Sequence, residues 1–266
     1  MGEGRRSDRG DLGRALSLLR PEGSLVVVER LALLKRRFCR ALPSYEEEAR
    51  VQRLLSERLL SAILSEGRAF PRVLELGCGT GLFTRRAKEA LLTELYVACD
   101  LLFECGKWVS PLGVRFLCAD AERPPFGEGT FDLVVGSAVA QWFRAPKEAL
   151  FHLSALLKPK GLLALSTFGP ETMRELPRRE IPAGLLSLEA WLKLSPPGLS
   201  VIRAEKHLER IPFPDGLSVL RHLKKTGAAG YLRGSGVSCL KAWLRENPGP
   251  LELTFEMGVI LWRKEG

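Results

Sequence analysis

"VLELGCGTGLF", residues 73–83, consists of a short apolar run followed by Gly77, Gly79 and Gly81 at every second position. An apolar run of this length is typical of a buried strand. Glycine directly after it permits positive φ and lets a ligand approach the backbone closely. A glycine-rich turn can also serve packing alone, so its meaning depends on the segments that follow.

Short apolar strands alternate with helical patterns after this turn. Four more strands are predicted, at residues 94–100, 114–120, 131–137 and 161–169. Helical patterns over residues 82–92 and 146–157 separate them, the second with a one-sided stripe of leucines. Strands that are apolar throughout and alternate with helices indicate a parallel sheet covered on both faces. The sequence therefore predicts an α/β fold.

The N-terminal part is predicted to be helical. Residues 1–30 are rich in glycine and charge and read as a flexible extension, although residues 24–30 also suit a short edge strand. A helical pattern covers residues 31–64, with a break expected at Pro43. Ser44 would then be the N-cap of the second helix.

One domain is predicted over residues 31–266. Its core covers residues 70–169, and a small helical cap or insertion follows the fifth strand over residues 170–235. Within and beyond that insertion, residues 199–213 suit a strand, and residues 250–264 suit a long final strand.

Composition excludes several classes of protein. The hydrophobic content of 45% is ordinary for a globular chain, and no apolar stretch is long enough to span a bilayer. We expect neither a signal peptide nor a membrane association. Six cysteines without a CxxC pair indicate reduced thiols in a cytoplasmic protein, and three scattered histidines argue against a metal site. The net charge of +9 favours an acidic partner.

Carboxylates at the strand ends indicate which ligand the turn holds. Asp100 ends the second strand, where it can accept hydrogen bonds from a ribose diol, and Asp120 ends the third, within reach of an adenine edge. The glycines read GxGxG and lack the last glycine of the pyrophosphate-binding GxGxxG. Glu75 suits a free amino group. A ligand with adenosine and an amino-acid tail fits best, namely S-adenosylmethionine.

Residues 73–169 resemble the class I S-adenosylmethionine-dependent methyltransferases through "VLELGCGTG", "ACD", "CADAERPPF", "FDLVVGS" and "LLKPKGLLALSTFG". The resemblance implies a Rossmann-like sheet of seven strands, the last one antiparallel. It also implies a donor-binding set made of residues at the strand ends: Glu75, Gly77, Cys78, Gly79, Gly81, Asp100, Leu101, Asp120, Ala121, Glu122 and Ser137.

Residues 33–257 are more closely similar to the malonyl-acyl carrier protein O-methyltransferases of biotin synthesis. The most specific segments are "AVAQWF", "LSTFGPETMRELP" and "IPFPDGLSVLRHLKKTGAAG". Two departures are visible: Ala138 stands where the family commonly carries an amide, and "EMGVILW" lacks the family's His-Ala pattern. The resemblance implies methyl transfer to the free carboxylate of a malonyl group on acyl carrier protein.

Such a reaction needs neither a catalytic base nor a metal, because a carboxyl group with a pKa of about 4 is already ionised at neutral pH. Catalysis then depends on aligning the substrate carboxylate and excluding water. The candidate substrate-binding residues are Arg174 for the malonyl carboxylate, Tyr45 ahead of the core, and Gln141 and Trp142 after the fourth strand.

The expected partner is an acidic acyl carrier protein carrying malonyl-phosphopantetheine, which a basic surface would attract. The candidate basic residues are Arg174, Arg178, Arg179, Arg221, Lys224, Lys225 and Arg233. Two alternatives stay open: a C- or O-methyltransferase of a small metabolite such as a quinone precursor, and a non-catalytic donor-binding or nucleic-acid-binding protein. Nucleic acid is the weaker partner, because no basic strand rich in aromatics is present.

Overall fold

The computed structural model describes residues 27–177, 184–228, 232 and 236–266, with side chains from residue 35 onward. Residues 1–26 of the predicted flexible extension lie outside these ranges. The first helix, α1, covers Val27–Glu48. The last residues of the predicted extension, which also suited an edge strand, therefore form the first turn of this helix.

The chain divides into two compact units. The larger one, here the sheet unit, consists of Ala49–Thr172, Ala183–Glu209 and Phe255–Gly266. The smaller one, here the helical unit, consists of Met1–Glu48, Met173–Pro182 and Arg210–Thr254.

Seven strands form one sheet in the order β3-β2-β1-β4-β5-β7-β6. Strands β1 to β5 are paired in parallel, and β7 runs antiparallel to β5 with Thr167 opposite Gly258. This topology confirms the predicted seven-stranded, Rossmann-like sheet with an antiparallel last strand. The strands are β1 Arg72–Leu76, β2 Leu95–Asp100, β3 Arg115–Cys118, β4 Phe131–Gly136, β5 Leu157–Phe168, β6 Leu199–Phe213 and β7 Leu251–Lys264.

Helices follow α1 in both units and occupy most of the predicted helical segments. They are α2 Arg50–Glu66, α3 Leu82–Ala90, α4 Gly106–Val109, α5 Pro146–Leu156, α6 Leu188–Lys193, α7 Gly216–Lys225 and α8 Val237–Glu246. Short 3-10 turns cover Phe103–Cys105, Ser110–Leu112 and Ala140–Trp142. No helix in the described part of the chain is long and apolar enough to cross a membrane.

The predicted helix break at Pro43 is wrong. Pro43 lies inside α1, and the chain leaves the helix at Ala49, where ψ is 43°. Ser44 is therefore no N-cap: its hydroxyl donates to the Ala41 carbonyl at 3.3 Å, within the same helix. Helix α2 begins after Ala49 without a side-chain cap.

The core of the sheet unit explains the continuous apolar strands. Leu74 and Leu76 of β1 and Leu163 of β5 are fully buried. Helix α5 covers this layer with the stripe that contains Leu150 and Leu153. Each fully buried leucine stabilises the fold by about 1.5–3 kcal/mol. Because β1 to β5 run parallel, their carboxyl ends lie at one edge of the sheet.

The helical unit is organised around α7. Asp215 caps this helix by accepting from the Ser218 N–H at 2.6 Å, and the Ser218 hydroxyl lies within hydrogen-bond distance of the Asp215 backbone in return. Helix α7 packs against α1, and Lys225 at its end donates to Glu48 at 2.9 Å. These contacts hold together segments that are far apart in sequence.

Candidate functional site

The glycine turn after β1 contains three residues in the left-handed region, with φ of 66° at Gly77, 53° at Gly79 and 83° at Gly81. The turn uses these glycines in different ways. A Cβ on Gly77 would lie 2.5 Å from Cγ2 of Val139, so the absence of a side chain there serves packing. A Cβ on Gly79 would meet no heavy atom within 4 Å, so the open space of the turn is at its middle glycine.

Asp100 at the end of β2 faces this open glycine. Its Oδ2 accepts the Gly79 N–H at 2.9 Å, and its Oδ1 accepts the Leu102 N–H at 2.9 Å. Burial raises the pKa of Asp100, while the bonds from Leu102 and Gly79 act to lower it. A carboxylate at the end of the second strand, beside an open glycine, is placed where a ribose diol can bind in this class of sheet.

Glu75 is the second-last residue of β1, just ahead of the glycines, and is only 2% exposed. Its Oε2 accepts the Tyr96 hydroxyl at 2.8 Å. Burial raises the pKa of Glu75 to about 7, against the lowering effect of Tyr96. Close by in sequence, Thr80 carries a buried Oγ1 that has no hydrogen-bond partner among the described residues. The end of β1 thus carries a buried titratable carboxyl, and the turn after it carries a buried hydroxyl without a partner among the described residues.

Asp120 and Glu122 follow β3, and both are bound by Arg144, a residue that the sequence analysis missed. Arg144 forms a salt bridge with Asp120 through Nη2 and donates from Nε to Glu122 Oε1 at 2.8 Å. The second oxygen of Glu122 accepts the Ala145 N–H at 2.9 Å. Glu122 first, and Asp120 with it, raise the pKa of Arg144 against a lowering effect of burial.

The remaining predicted donor residues lie at the same sheet edge. Cys78 is buried and its N–H donates to the Cys99 carbonyl at 3.0 Å, while burial raises the pKa of its thiol. Leu101, Ala121 and Ser137 are half-buried and follow the ends of β2, β3 and β4. The parallel strands bring all of these positions to one end of the sheet.

Gln141 and Trp142 belong to the 3-10 turn after β4. Gln141 is 6% exposed, and its Nε2 donates to the Ala138 carbonyl at 2.7 Å. Its Oε1 lies 3.5 Å from the Thr167 hydroxyl. Both polar ends of this amide therefore point at protein atoms. Trp142 is half-buried, and its backbone N–H donates to the Val139 carbonyl at 2.9 Å.

Tyr45 and Arg174 belong to the helical unit, whereas the donor residues belong to the sheet unit. Tyr45 is half-buried within α1. The Arg174 side chain is 49% exposed, and its Nε lies 3.6 Å from Oε1 of Glu175. Both assignments to the substrate stay predictions.

The predicted basic residues are only partly described. Arg178, Arg179 and Arg233 lie outside the described residues. Arg221 and Lys224 are exposed on α7. Lys225 follows them on the same helix and pairs with Glu48.

The sheet edge as described fits an adenosine that carries an amino-acid tail. Three groups there could serve such a ligand: the open backbone at Gly79, the carboxylate of Asp100, and the buried hydroxyl of Thr80, which has no partner among the described residues. Within the described ranges, no three His, Cys, Asp or Glu side chains are grouped as ligands of one metal ion.

Comparison with known proteins gives a consistent result. A family model described as a methyltransferase domain matches residues 45–229. The malonyl-[acyl-carrier protein] O-methyltransferase of Porphyromonas gingivalis is 33% identical over 227 residues, covering 84% of this chain and 84% of that protein. The biotin biosynthesis bifunctional protein of Bordetella avium is 32% identical over 249 residues, covering 87% of this chain and 52% of that protein.

Among solved structures, the N-methyltransferase NodS of Bradyrhizobium japonicum in complex with S-adenosyl-L-homocysteine has a similar fold. The TM-score is 0.51 at 16% sequence identity, covering 84% of this chain and 99% of that chain.

Proposed function

Because the chain belongs to the malonyl-[acyl-carrier protein] O-methyltransferase family of S-adenosylmethionine-dependent methyltransferases, we propose that it methylates the free carboxylate of malonyl-acyl carrier protein. The product is a methyl ester in which the malonyl charge is masked. Such an ester can prime pimeloyl synthesis, and the similarity to a biotin biosynthesis protein supports this place in metabolism.

The observation that carries the donor site is the pairing of Asp100 with Gly79 at 2.9 Å. It supports a role in which the carboxylate of Asp100 binds the ribose hydroxyls beside an open stretch of backbone. We propose that Glu75 balances the charge of the donor's amino group, because it is the buried carboxyl at the base of the same turn. When bound, S-adenosylmethionine supplies an electrophilic methyl group on a positively charged sulfur.

The protein's own residues would then mainly orient and shield the reactants. The malonyl carboxylate is ionised at neutral pH, since a carboxyl pKa is about 4, and so it needs no base to remove a proton. Positive and negative charge disappear together during the transfer, and a site that excludes water favours this change. Alignment of the carboxylate oxygen with the methyl carbon lowers the activation barrier further.

Arg174 is the residue we propose for the malonyl carboxylate. It is half-exposed, and its contact with the neighbouring Glu175, at 3.6 Å, is a loose one that a substrate carboxylate could replace. A single flexible cation is suited to this role, because a tight bidentate pair would stabilise the carboxylate before reaction and weaken its attack. Exposed Arg221 and Lys224 on α7 support attraction of an acidic carrier.

The decisive experiment is a radiolabelled methyl-transfer assay with malonyl-acyl carrier protein. Acetyl-acyl carrier protein is the matched control, because it lacks only the carboxylate, and malonyl-coenzyme A tests the need for the carrier. We expect base-labile label on the malonyl carrier and none on the acetyl carrier. Equal labelling of both carriers, or no labelling by protein that binds S-adenosylhomocysteine, would contradict the proposal and favour a small-metabolite substrate.

A further inference from the structure

Ala138 adopts a backbone conformation that its side chain disfavours. Its φ is 52°, in the left-handed region, although it has a Cβ. It follows the end of β4 at the sheet edge that carries the predicted donor residues. An unconstrained alanine would populate the right-handed or extended regions instead, so contacts with the surrounding structure must stabilise this conformation.

Two buried side chains hold the peptide groups of Ala138. Its N–H donates to the hydroxyl of Ser166 at 3.1 Å, and its carbonyl accepts from Nε2 of Gln141 at 2.7 Å. Ser166 on β5 is fully buried, and Gln141 is nearly so. The amide of Gln141 is shielded from water, and its Oε1 faces Thr167. Hydrogen bonds in such a place constrain the backbone more than they would at a surface.

The next residue, Val139, depends on this conformation. Its Cγ2 lies 2.5 Å from the place where a Cβ on Gly77 would be, and its Cγ1 lies 2.6 Å from the equivalent place on Gly136. Val139 therefore fills the space that two glycines leave open, one of them in the glycine turn. A change of φ at Ala138 would move Val139 away from Gly77 and leave that part of the turn without its packing partner.

We propose that Gln141 is a positioning residue: it holds Ala138 in the left-handed conformation and so keeps Val139 packed on the glycine turn of the donor site. This inference rests on the proposed donor site. It assigns Gln141 a role different from contact with the substrate, because both ends of its amide are engaged by the loop and by β5. The conformation of the glycine turn after β1 then depends on that of the loop after β4.

The test is calorimetric binding of S-adenosylhomocysteine to four proteins: wild type, Gln141→Ala, Ala138→Gly and the double variant. Loss of the Gln141 hydrogen bond lets Ala138 leave the left-handed region, and binding should weaken about tenfold. Glycine adopts positive φ without this penalty. The double variant should therefore recover most of the lost affinity, which a merely destabilised or substrate-contacting residue would not do.

Matched controls use the same substitutions elsewhere in the sheet unit. Gln52→Ala on α2 should bind like wild type, and Ala155→Gly on α5 should fail to rescue Gln141→Ala. Thermal midpoints of all variants separate a loss of fold from a loss of affinity. If Gln141→Ala does not fold, Gln141→Glu keeps the side-chain size but places an oxygen against the Ala138 carbonyl, and the same rescue is expected.

Unchanged affinity in Gln141→Ala, or a loss that Ala138→Gly does not recover, would overturn the positioning role. A raised KM for malonyl-acyl carrier protein with unchanged donor affinity would do the same and would return Gln141 to the substrate. Failure of the wild type itself to bind S-adenosylhomocysteine would instead overturn the donor site, so the two proposals fail in distinguishable ways.

Discussion

Oδ2 of Asp100 lies 2.9 Å from the backbone nitrogen of Gly79. The residue that ends β2 is thereby bonded to the middle of the turn that follows β1, across a gap of 21 residues in the sequence. This bond shapes the turn without filling the open side of Gly79, so the carboxylate can serve the backbone and a ligand together.

We expect Asp100→Ala to abolish measurable binding of S-adenosylhomocysteine, because the ribose loses its carboxylate and the turn loses an acceptor. Calorimetry is the measurement. Asp132→Ala is the control, since Asp132 lies near the start of β4, where it pairs with Lys158 at 2.8 Å. Binding by the Asp100 variant at wild-type affinity would contradict our placement of the site.

Alanine at Gly77 and at Gly79 should have different effects. Both substitutions put a Cβ at positive φ, which costs about 1–2 kcal/mol. At Gly77 the new Cβ also collides with Val139, so we expect a further loss of about 1–3 kcal/mol in the free energy of unfolding. At Gly79 the larger effect should be on donor affinity.

Urea denaturation and calorimetry together measure both effects. The double variant Gly77→Ala with Val139→Ala removes the colliding methyl groups and should regain part of the lost stability. Equal stability of the two single alanine variants would show that Val139 does not occupy the space beside Gly77.

Glu75 should make the stability of the ligand-free protein pH-dependent. Burial raises its pKa from 4.5 to about 7, so between these values the native state keeps a proton that the unfolded chain has released. The resulting stabilisation is complete below the unfolded pKa and disappears as the pH rises through the folded pKa. We expect this carboxyl to lower the free energy of unfolding by about 3 kcal/mol over that range.

Urea denaturation at pH 5 and pH 8 measures this dependence, and Glu75→Gln is the control that cannot titrate. The free energy of unfolding of Glu75→Gln minus that of the wild type should increase from pH 5 to pH 8, because only the wild type loses stability when Glu75 ionises. Parallel pH profiles for the two proteins would rule out a raised pKa at Glu75.

Arg144→Ala should weaken binding of S-adenosylhomocysteine about threefold to tenfold, because Asp120 and Glu122 lose the cation that fixes them. Arg144→Lys should retain only part of the affinity, since an ammonium cannot bind both carboxylates with a planar fork. High salt should reduce the difference from wild type, because Arg144 is half-exposed. Arg123→Ala, in the loop that carries Asp120 and Glu122, is the control, and equal losses in both variants would argue against a specific role.

Arg174→Ala should lower kcat/KM for malonyl-acyl carrier protein about tenfold or more while donor affinity stays near wild type, because the substrate carboxylate loses its cation. Arg245→Ala is the control, an exposed arginine on α8 of the same unit. Unchanged kinetics would remove Arg174 from the substrate site.

Sequence patterns were sufficient to locate the strands of the sheet. Apolar runs predicted all five parallel strands, because strands inside a parallel sheet are covered on both faces and need apolar residues throughout. The edge strand β3, which is only partly buried, was predicted from its apolar run as well. The resemblance to known methyltransferases supplied the antiparallel last strand. The patterns failed at Pro43 and Ser44, where helical geometry continues through a proline and a serine that usually mark a helix boundary.

In the candidate site, too, the sequence predicted the positions of residues but not their contacts. Gly77, Gly79 and Asp100 stand next to strand ends, and the strand order of a parallel sheet brings such positions together. The sequence could not show that Gly77 serves packing while Gly79 leaves open space. The residue that packs against Gly77 is Val139, which lies 62 residues further along the chain.

Periodicity and spacing therefore determined the strands, the glycine turn and the carboxylates at the strand ends, since these depend on local chemistry and on a sheet order common to the fold. Tertiary structure alone decided that Arg144 binds Asp120 and Glu122, and that Gln141 faces Ala138 and Thr167. These partners are chosen by side-chain packing between loops of different strands, and no local pattern records which loops will meet.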